Sequence, residues 1–148
     1  MSILAIDYGA KKIGLAKSNQ ENTLALPLEV IRSSSRLDLL NQLKEICRLH
    51  EIIKVVVGVP VSLSNGDSKN LIREVDLENK HMQEVLGFIS WLKTNINLPV
   101  EMEDERLSTK MANTLQKGLS KKGSDDDIAA MLILQNYLDR LRHRSSSV

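Results

Sequence analysis

The first eighteen residues, Met1–Ser18, read MSILAIDYGAKKIGLAKS, and they decide the fold. Ile3 to Asp7 is a short apolar run that ends on an acid. Tyr8-Gly9-Ala10 reads as a turn, and Ile13 to Ala16 as the return strand of a hairpin. Leu24 to Ile31 adds a third strand, in which Pro27 favours a bulge or an edge position because proline cannot donate to the ladder. Three strands this close leave no room for crossover helices, so they pair antiparallel.

Beyond the hairpin the pattern alternates. Ser33–Ser35 open a helix whose stripe runs through Leu37, Leu40, Leu43 and Cys47. Ile52 to Val59 is a nearly continuous β-branched run, as in a strand buried on both faces, and Pro60 ends it. Val61 to Asn70 is a polar loop with Asn65-Gly66, which reads either as a flap over a site or as a plain surface loop. A long helix follows, clearest from Met82 to Trp91, then a fifth strand from Leu98 to Met102. Ser108 to Lys117 reads as a helix closed by Gly118, and the last helix runs from about Asp125 to Leu141. Strands separated by helices join in parallel. The expected fold is α/β: a mixed five-stranded sheet, three strands antiparallel and two parallel, flanked by helices. It forms a single domain over residues 1–144, with 145–148 as a frayed tail.

Size and composition agree with one domain. The chain has 148 residues, 42% of them hydrophobic, and a single cysteine, so no intramolecular disulfide can form. Cys47 falls in an apolar helical pattern and reads as a small core residue. No signal peptide or membrane helix is expected from the N-terminus, and a reducing cytoplasm suits the cysteine usage. The net charge of +1 gives no general support to nucleic-acid binding. Its distribution says more. Acids bunch at Glu101–Glu105 and Asp125–Asp127, bases at Lys11 and Lys12, Lys117–Lys122 and Arg140–Arg144. The three histidines have no zinc-ligand spacing, and aromatics are too scarce for base stacking to dominate binding.

Three acidic positions stand at element ends. Asp7 closes a buried strand before a glycine turn, where open α/β sheets place their sites; a turn-forming aspartate reads equally well. Asp104-Glu105-Arg106 follows the fifth strand and suits metal and phosphate binding; the alternative is a helix cap at Asp104 or a surface ion pair. Asp125–Asp127 opens the last helix, where acids are stabilised anyway, and Ser124 with Asp127 has capping-box spacing. Asp126 shares a helical face with Ala130, Ile133 and Tyr137, the stripe expected to pack on the sheet, and is the best candidate of the three. Carboxylates gathered in one place repel unless a cation lies between them. A hard dication with oxygen ligands, Mg²⁺ or Mn²⁺ as a substitute, is the natural answer. Lys11 and Lys12, in the turn after Asp7, either contact phosphate or are simply solvated, as do Lys121 and Lys122.

Four motifs then stand in order along the chain: IDYGAKKIGLA at Ile6–Ala16, VVGVP at Val56–Pro60, DERLST at Asp104–Thr109, and DxxAAxxILxxYL at Asp126–Leu138. Together they resemble the YqgF/RuvX family. The resemblance implies an RNase H-like fold, related to the RuvC Holliday-junction resolvases, and a nuclease that matures the 5′ end of precursor 16S ribosomal RNA. It places catalytic acids on Asp7, Glu105 and Asp126, with Asp104 beside them as a further metal ligand. Lys17, Asn19 and Asn70–His81 depart from the family pattern, and the loop after Pro60 is slightly longer than usual.

On this reading Asp7, Glu105 and Asp126 hold two Mg²⁺ ions that activate water and stabilise the leaving oxygen. Arg106, Lys12 and Lys11 meet phosphate oxygens, and the products carry a 5′-phosphate and a 3′-hydroxyl. The partner is nucleic acid, precursor rRNA or branched DNA, and not a membrane; the chain is a monomer or a weak homodimer. Three other readings stay open: a Holliday junction resolvase on branched DNA, a non-catalytic RNA or ribosome-assembly module, and a relative of the actin-like ATPases. ATP titration separates the last of these.

Overall fold

The computed structural model describes residues 1–9, 11–32, 34–60, 80–104 and 125–146. Strands β1 (Ser2–Tyr8), β2 (Ile13–Ser18) and β3 (Ala25–Ile31) are followed by helix α1 (Arg36–Leu49) and strand β4 (Ile52–Val59). Helix α2 (Lys80–Asn95), strand β5 (Val100–Asp104) and helix α3 (Asp125–Ser146) complete the described elements. The strands form one sheet in the order β3-β2-β1-β4-β5. The pairs β1–β2 and β2–β3 are antiparallel, and β1–β4 and β4–β5 are parallel. The mixed sheet read from the sequence is therefore present, with the C-terminal ends of β1, β4 and β5 along one edge.

Side-chain alternation sorts the sheet into two cores. Leu4 and Ile6 of β1, Ile13 and Leu15 of β2, and Val55, Val57 and Val59 of β4 pack against α1 and α2. Ile3, Ala5, Ala16, Ala25 and Val56 pack on the other face, against Ala130, Ile133, Leu134, Tyr137 and Leu138 of α3. Pro27 behaves as its chemistry requires: β3 is an edge strand, and the β2–β3 register shifts beside it, between Leu15↔Glu29 and Ala16↔Pro27.

Several boundaries differ from the sequence reading. In α1 the buried residues are Leu39, Leu43, Ile46 and Cys47, while Leu37 is exposed. Ser35 starts that helix, its side chain accepting from the Asp38 N–H, and this fixes which way the leucine-rich turns face the sheet. Strand β5 begins two residues later than expected and runs to Asp104, because the ladder continues through Gly58↔Glu103 and Val59↔Asp104. Asp104 is thus the last residue of the strand and not the first after it. Helix α3 continues five residues past Leu141, since no glycine or proline interrupts it and the cationic Arg142–Arg144 segment suits a helix C-terminus. The Val61–Asn70 loop and the Ser108–Lys117 helix lie outside the described residues. Among the described residues, no helix is long and apolar enough to cross a membrane.

Two family departures have a local reason. Lys17 Nζ lies 3.0 Å from His50 Nδ1, so this β2 lysine has a partner in the α1–β4 turn. Asn19 Oδ1 accepts from the Thr23 and Leu24 N–H groups and so closes the β2–β3 turn, a role that an amide side chain fills well.

Candidate active site

Asp7 sits two residues beyond Ala5 on β1, so it faces the α3 side of the sheet, near the C-terminal edge. It is half-buried. Its partner across the hairpin is Gly14. On the other side Ile6 pairs with Val57, which makes Gly58 the next residue level with Asp7, and Gly58 pairs with Glu103. One row across the sheet therefore reads Gly14, Asp7, Gly58, Glu103. Strands lie about 4.8 Å apart, which sets Asp7 and Glu103 about 10 Å apart with a glycine between them. Neither flanking residue carries a side chain that would crowd the Asp7 carboxylate.

The row's second acid is not exposed. Glu103 is only 4% accessible, and its Oε1 is buried with no hydrogen bond. The Arg140 guanidinium of α3 lies 2.5 Å from that oxygen, as an ion pair rather than a directed hydrogen bond. Two residues back, Glu101 Oε2 accepts from the Tyr137 hydroxyl at 2.7 Å and pairs with Lys54 Nζ at 2.7 Å. Lys54 also donates to the Tyr137 oxygen at 2.9 Å. The hydrogen bond from Lys54, helped by that from Tyr137, holds the Glu101 carboxyl below its ordinary value. The same bond to Glu101 raises Lys54, and burial raises the Tyr137 phenol. These contacts bind α3 to β4 and β5 beside the row.

Lys11 and Lys12 are exposed in the hairpin turn, as expected. Asp104 ends β5, level with Val59, one row beyond Asp7. Asp126 lies in the first turn of α3, the helix that covers the Asp7 face. Ala130, Ile133 and Tyr137, which set its face in the sequence reading, are buried against the sheet at 0%, 0% and 2%. Glu105 and Arg106 lie outside the described residues. Among the described residues, no three of His, Cys, Asp and Glu gather into a metal-binding group. Of the C-terminal basic residues, Arg140 pairs with Glu103 and Arg142 with Asp139. The sequence reading missed Glu103 as a separate feature. Its signal was the period-two spacing of Glu101 and Glu103, which puts both on the α3 face.

A three-stranded antiparallel meander continued by parallel strands, with acids at the strand ends beneath a final helix, defines an α/β protein of the RNase H-like fold. Known structures agree. Thermus thermophilus RuvC, solved in complex with a Holliday junction substrate, superposes with a TM-score of 0.59 at 15% identity, covering 96% of each chain. The fowlpox virus resolvase, solved with Holliday junction DNA, gives 0.50 at 13% identity over 95% of this chain and 99% of that one. Residues 1–140 match the family described as RuvX, Holliday junction resolvase. Relatives from Rickettsia peacockii (strain Rustic) and Rickettsia akari (strain Hartford) are 34% and 35% identical over 146 residues. The match spans 95% of this chain and 88% of each relative, and both are named as a proposed pre-16S rRNA nuclease. The chain belongs to the RuvX family.

Proposed function

We propose that this protein is a divalent-metal-dependent nuclease that hydrolyses phosphodiester bonds and trims the 5′ end of precursor 16S ribosomal RNA in the cytoplasm. The observation that carries this reading is the setting of Asp7: a carboxylate at the C-terminal edge of β1, on the face of the last helix, with Gly14 and Gly58 on either side. We take residues 1–144 as one catalytic domain, acting as a monomer or a weak homodimer.

Asp7, Glu105 and Asp126 are the acids of the site. The family resemblance supports Glu105 as the second acid, with Asp104 beside it at the end of β5 as a further metal ligand. An all-carboxylate donor set suits a hard dication, Mg²⁺ or Mn²⁺. Bound there, such an ion would supply an activated water and offset charge on the leaving oxygen. Lys11, Lys12 and Arg106 orient phosphate oxygens around the site. The neighbouring Glu103 is already neutralised by Arg140, so it supports the packing of α3 and does not compete for the ion.

A second reading, cleavage of four-way DNA junctions, is favoured by the family's own description. It requires two sites and hence a dimer. Purified protein should be offered precursor rRNA ends, single-stranded RNA and four-way DNA junctions in Mg²⁺ and in Mn²⁺, with oligomeric state measured in the same sample. Cleavage of the precursor end by monomer is the expected result. Junction cleavage by a dimer would favour the second reading, and no cleavage of any substrate would remove both.

A further inference from the structure

The end of β1 serves both faces of the sheet. Asp7 belongs to the α3 face, whereas Tyr8, the next residue, packs against the opposite core. Its ring stacks on Phe88 at 4.3 Å between centroids, and Phe88 meets Trp91 at 5.7 Å. The Arg36 guanidinium lies over this aromatic wall, 4.9 Å from the Trp91 centroid, 5.8 Å from Phe88 and 5.9 Å from Tyr8. All three distances fall within cation–π range. Among the described residues, no carboxylate pairs with Arg36. The wall holds the arginine in place beside the end of β1.

Beside the wall is a cavity of about 170 Å³, lined by Tyr8, Gly9, Lys11, Ser34, Ser35 and Arg36 over an apolar floor. The bordering segments supply Lys11, Lys12, Arg32 and Arg36 against two acids, Asp38 and Asp7, the latter on the opposite face of the sheet. Asp38 is engaged: its carboxylate accepts from the Ser34 N–H and from Gln42 Nε2. The Ser35 hydroxyl is engaged too, accepting from the Asp38 N–H. Among the described residues, the groups that can meet a ligand there are the Lys11 and Arg36 side chains and the Ser34 hydroxyl, and that chemistry selects an anion. A base is a poor fit, because Tyr8 is already stacked on Phe88 and the ring faces of the wall carry Arg36.

We propose that this cavity seats a backbone phosphate of the substrate strand, adjacent to the bond that is cut, clamped by Lys11 and Arg36. The identity of the ligand rests on the nuclease reading of Asp7. Asp7 and Tyr8 are consecutive, about 3.8 Å apart at Cα. Both sites stand at the same end of β1, so a strand crossing that end sets one phosphate at the carboxylates and a neighbouring one in the cavity. The seat fixes register, and so decides which bond meets Asp7.

Two measurements test this. First, inorganic phosphate is titrated into the wild-type protein while the Arg36 Nε–H and Ser35 amide signals are followed by NMR. Saturable shifts of both signals are expected in the wild type, with the Ser35 amide shift lost in Lys11→Gln/Arg36→Gln; unmoved signals in the wild type overturn the seat. Second, the affinity of the Asp7→Asn protein for a single-stranded RNA is measured against salt, with and without the two substitutions. Each lost contact should reduce the slope of log K against log salt by about 0.7, so about 1.4 for both. An unchanged slope overturns the seat. Should Arg36→Gln impair folding, Lys11→Gln alone must still lower the slope by about 0.7. A protein that passes both tests yet never cleaves RNA fails the nuclease reading and keeps the seat. One that cleaves RNA with neither effect keeps the nuclease reading and loses the seat.

Discussion

Asp7 lies directly opposite Gly14 in the antiparallel pair of β1 and β2, so the residue that faces it across the hairpin carries no side chain. Gly58 leaves the β4 side equally clear. Glycine on both neighbouring strands leaves room for a ligand to approach the Asp7 carboxylate.

Asp7→Asn keeps the size of the side chain and removes its charge. The variant should fold with an unchanged circular dichroism spectrum and lose cleavage by at least about 100-fold, equivalent to about 2.7 kcal/mol of barrier. Mg²⁺ should raise the melting temperature of the wild type, as any ligand of the native state does, and should not raise that of the variant. EDTA should stop cleavage, and added Mg²⁺ should restore it. Undiminished metal-dependent cleavage by Asp7→Asn would remove this residue from the site.

The Lys54–Tyr137–Glu101 network predicts how stability follows pH. Glu101 titrates below its ordinary value of 4.5, so its contribution is present above that pH and is lost as pH falls through the folded value. Lys54 and Tyr137 titrate above 10.5 and 10.0, so their contributions are present below those values and are lost as pH rises through the folded ones. Glu101→Gln should lower the melting temperature at pH 7, and the difference from wild type should shrink below about pH 4. A difference that is constant from pH 7 to pH 3 would show that the ion pair adds nothing.

Two backbone substitutions should stabilise the fold. Gly87 lies within α2 and a Cβ there meets nothing within 4 Å, so Gly87→Ala should add about 1 kcal/mol through helix propensity. Glu51 follows α1 in a left-handed conformation, φ 51°, where glycine is favoured, and Glu51→Gly should gain about 1 kcal/mol. Gly9→Ala should do the opposite, because its Cβ would stand 2.6 Å from the Lys12 carbonyl oxygen and force the hairpin turn to move. Denaturant unfolding of the three variants checks all the signs at once.

Cys47 lies on the buried face of α1, and burial pushes its thiol up to about 11. At pH 8 it should react with iodoacetamide far more slowly than a free thiol, and at the free-thiol rate once the protein is unfolded. Rapid labelling of the native protein would place α1 differently.

Much of this structure was legible along the chain. Strands β1 to β4 followed from runs of apolar residues and their turns, and β4 was found at its full length, Ile52–Val59. Helix α1 was found but its buried face was not. Leucines at 37, 39, 40 and 43 allow more than one stripe, and only the position of the sheet beneath them picks Leu39 and Leu43. The final strand shifted for a similar reason: its end is set by the ladder that β4 offers, through Val59↔Asp104.

The acids divide along the same line. Asp7 at a strand end and Asp126 at the start of a helix are local features, and the sequence alone determined them, together with the family to which four ordered motifs point. The tertiary structure alone decided that Glu101 and Glu103 would be held by Lys54, Tyr137 and Arg140, from segments between 36 and 47 residues away along the chain. It also decided that Arg36 would lie on the ring of Trp91. Hydrophobic period and turn chemistry act over a few neighbouring residues and can be read directly. Ion pairs and ring contacts depend on which faces the completed sheet brings together, and no short stretch of sequence contains that.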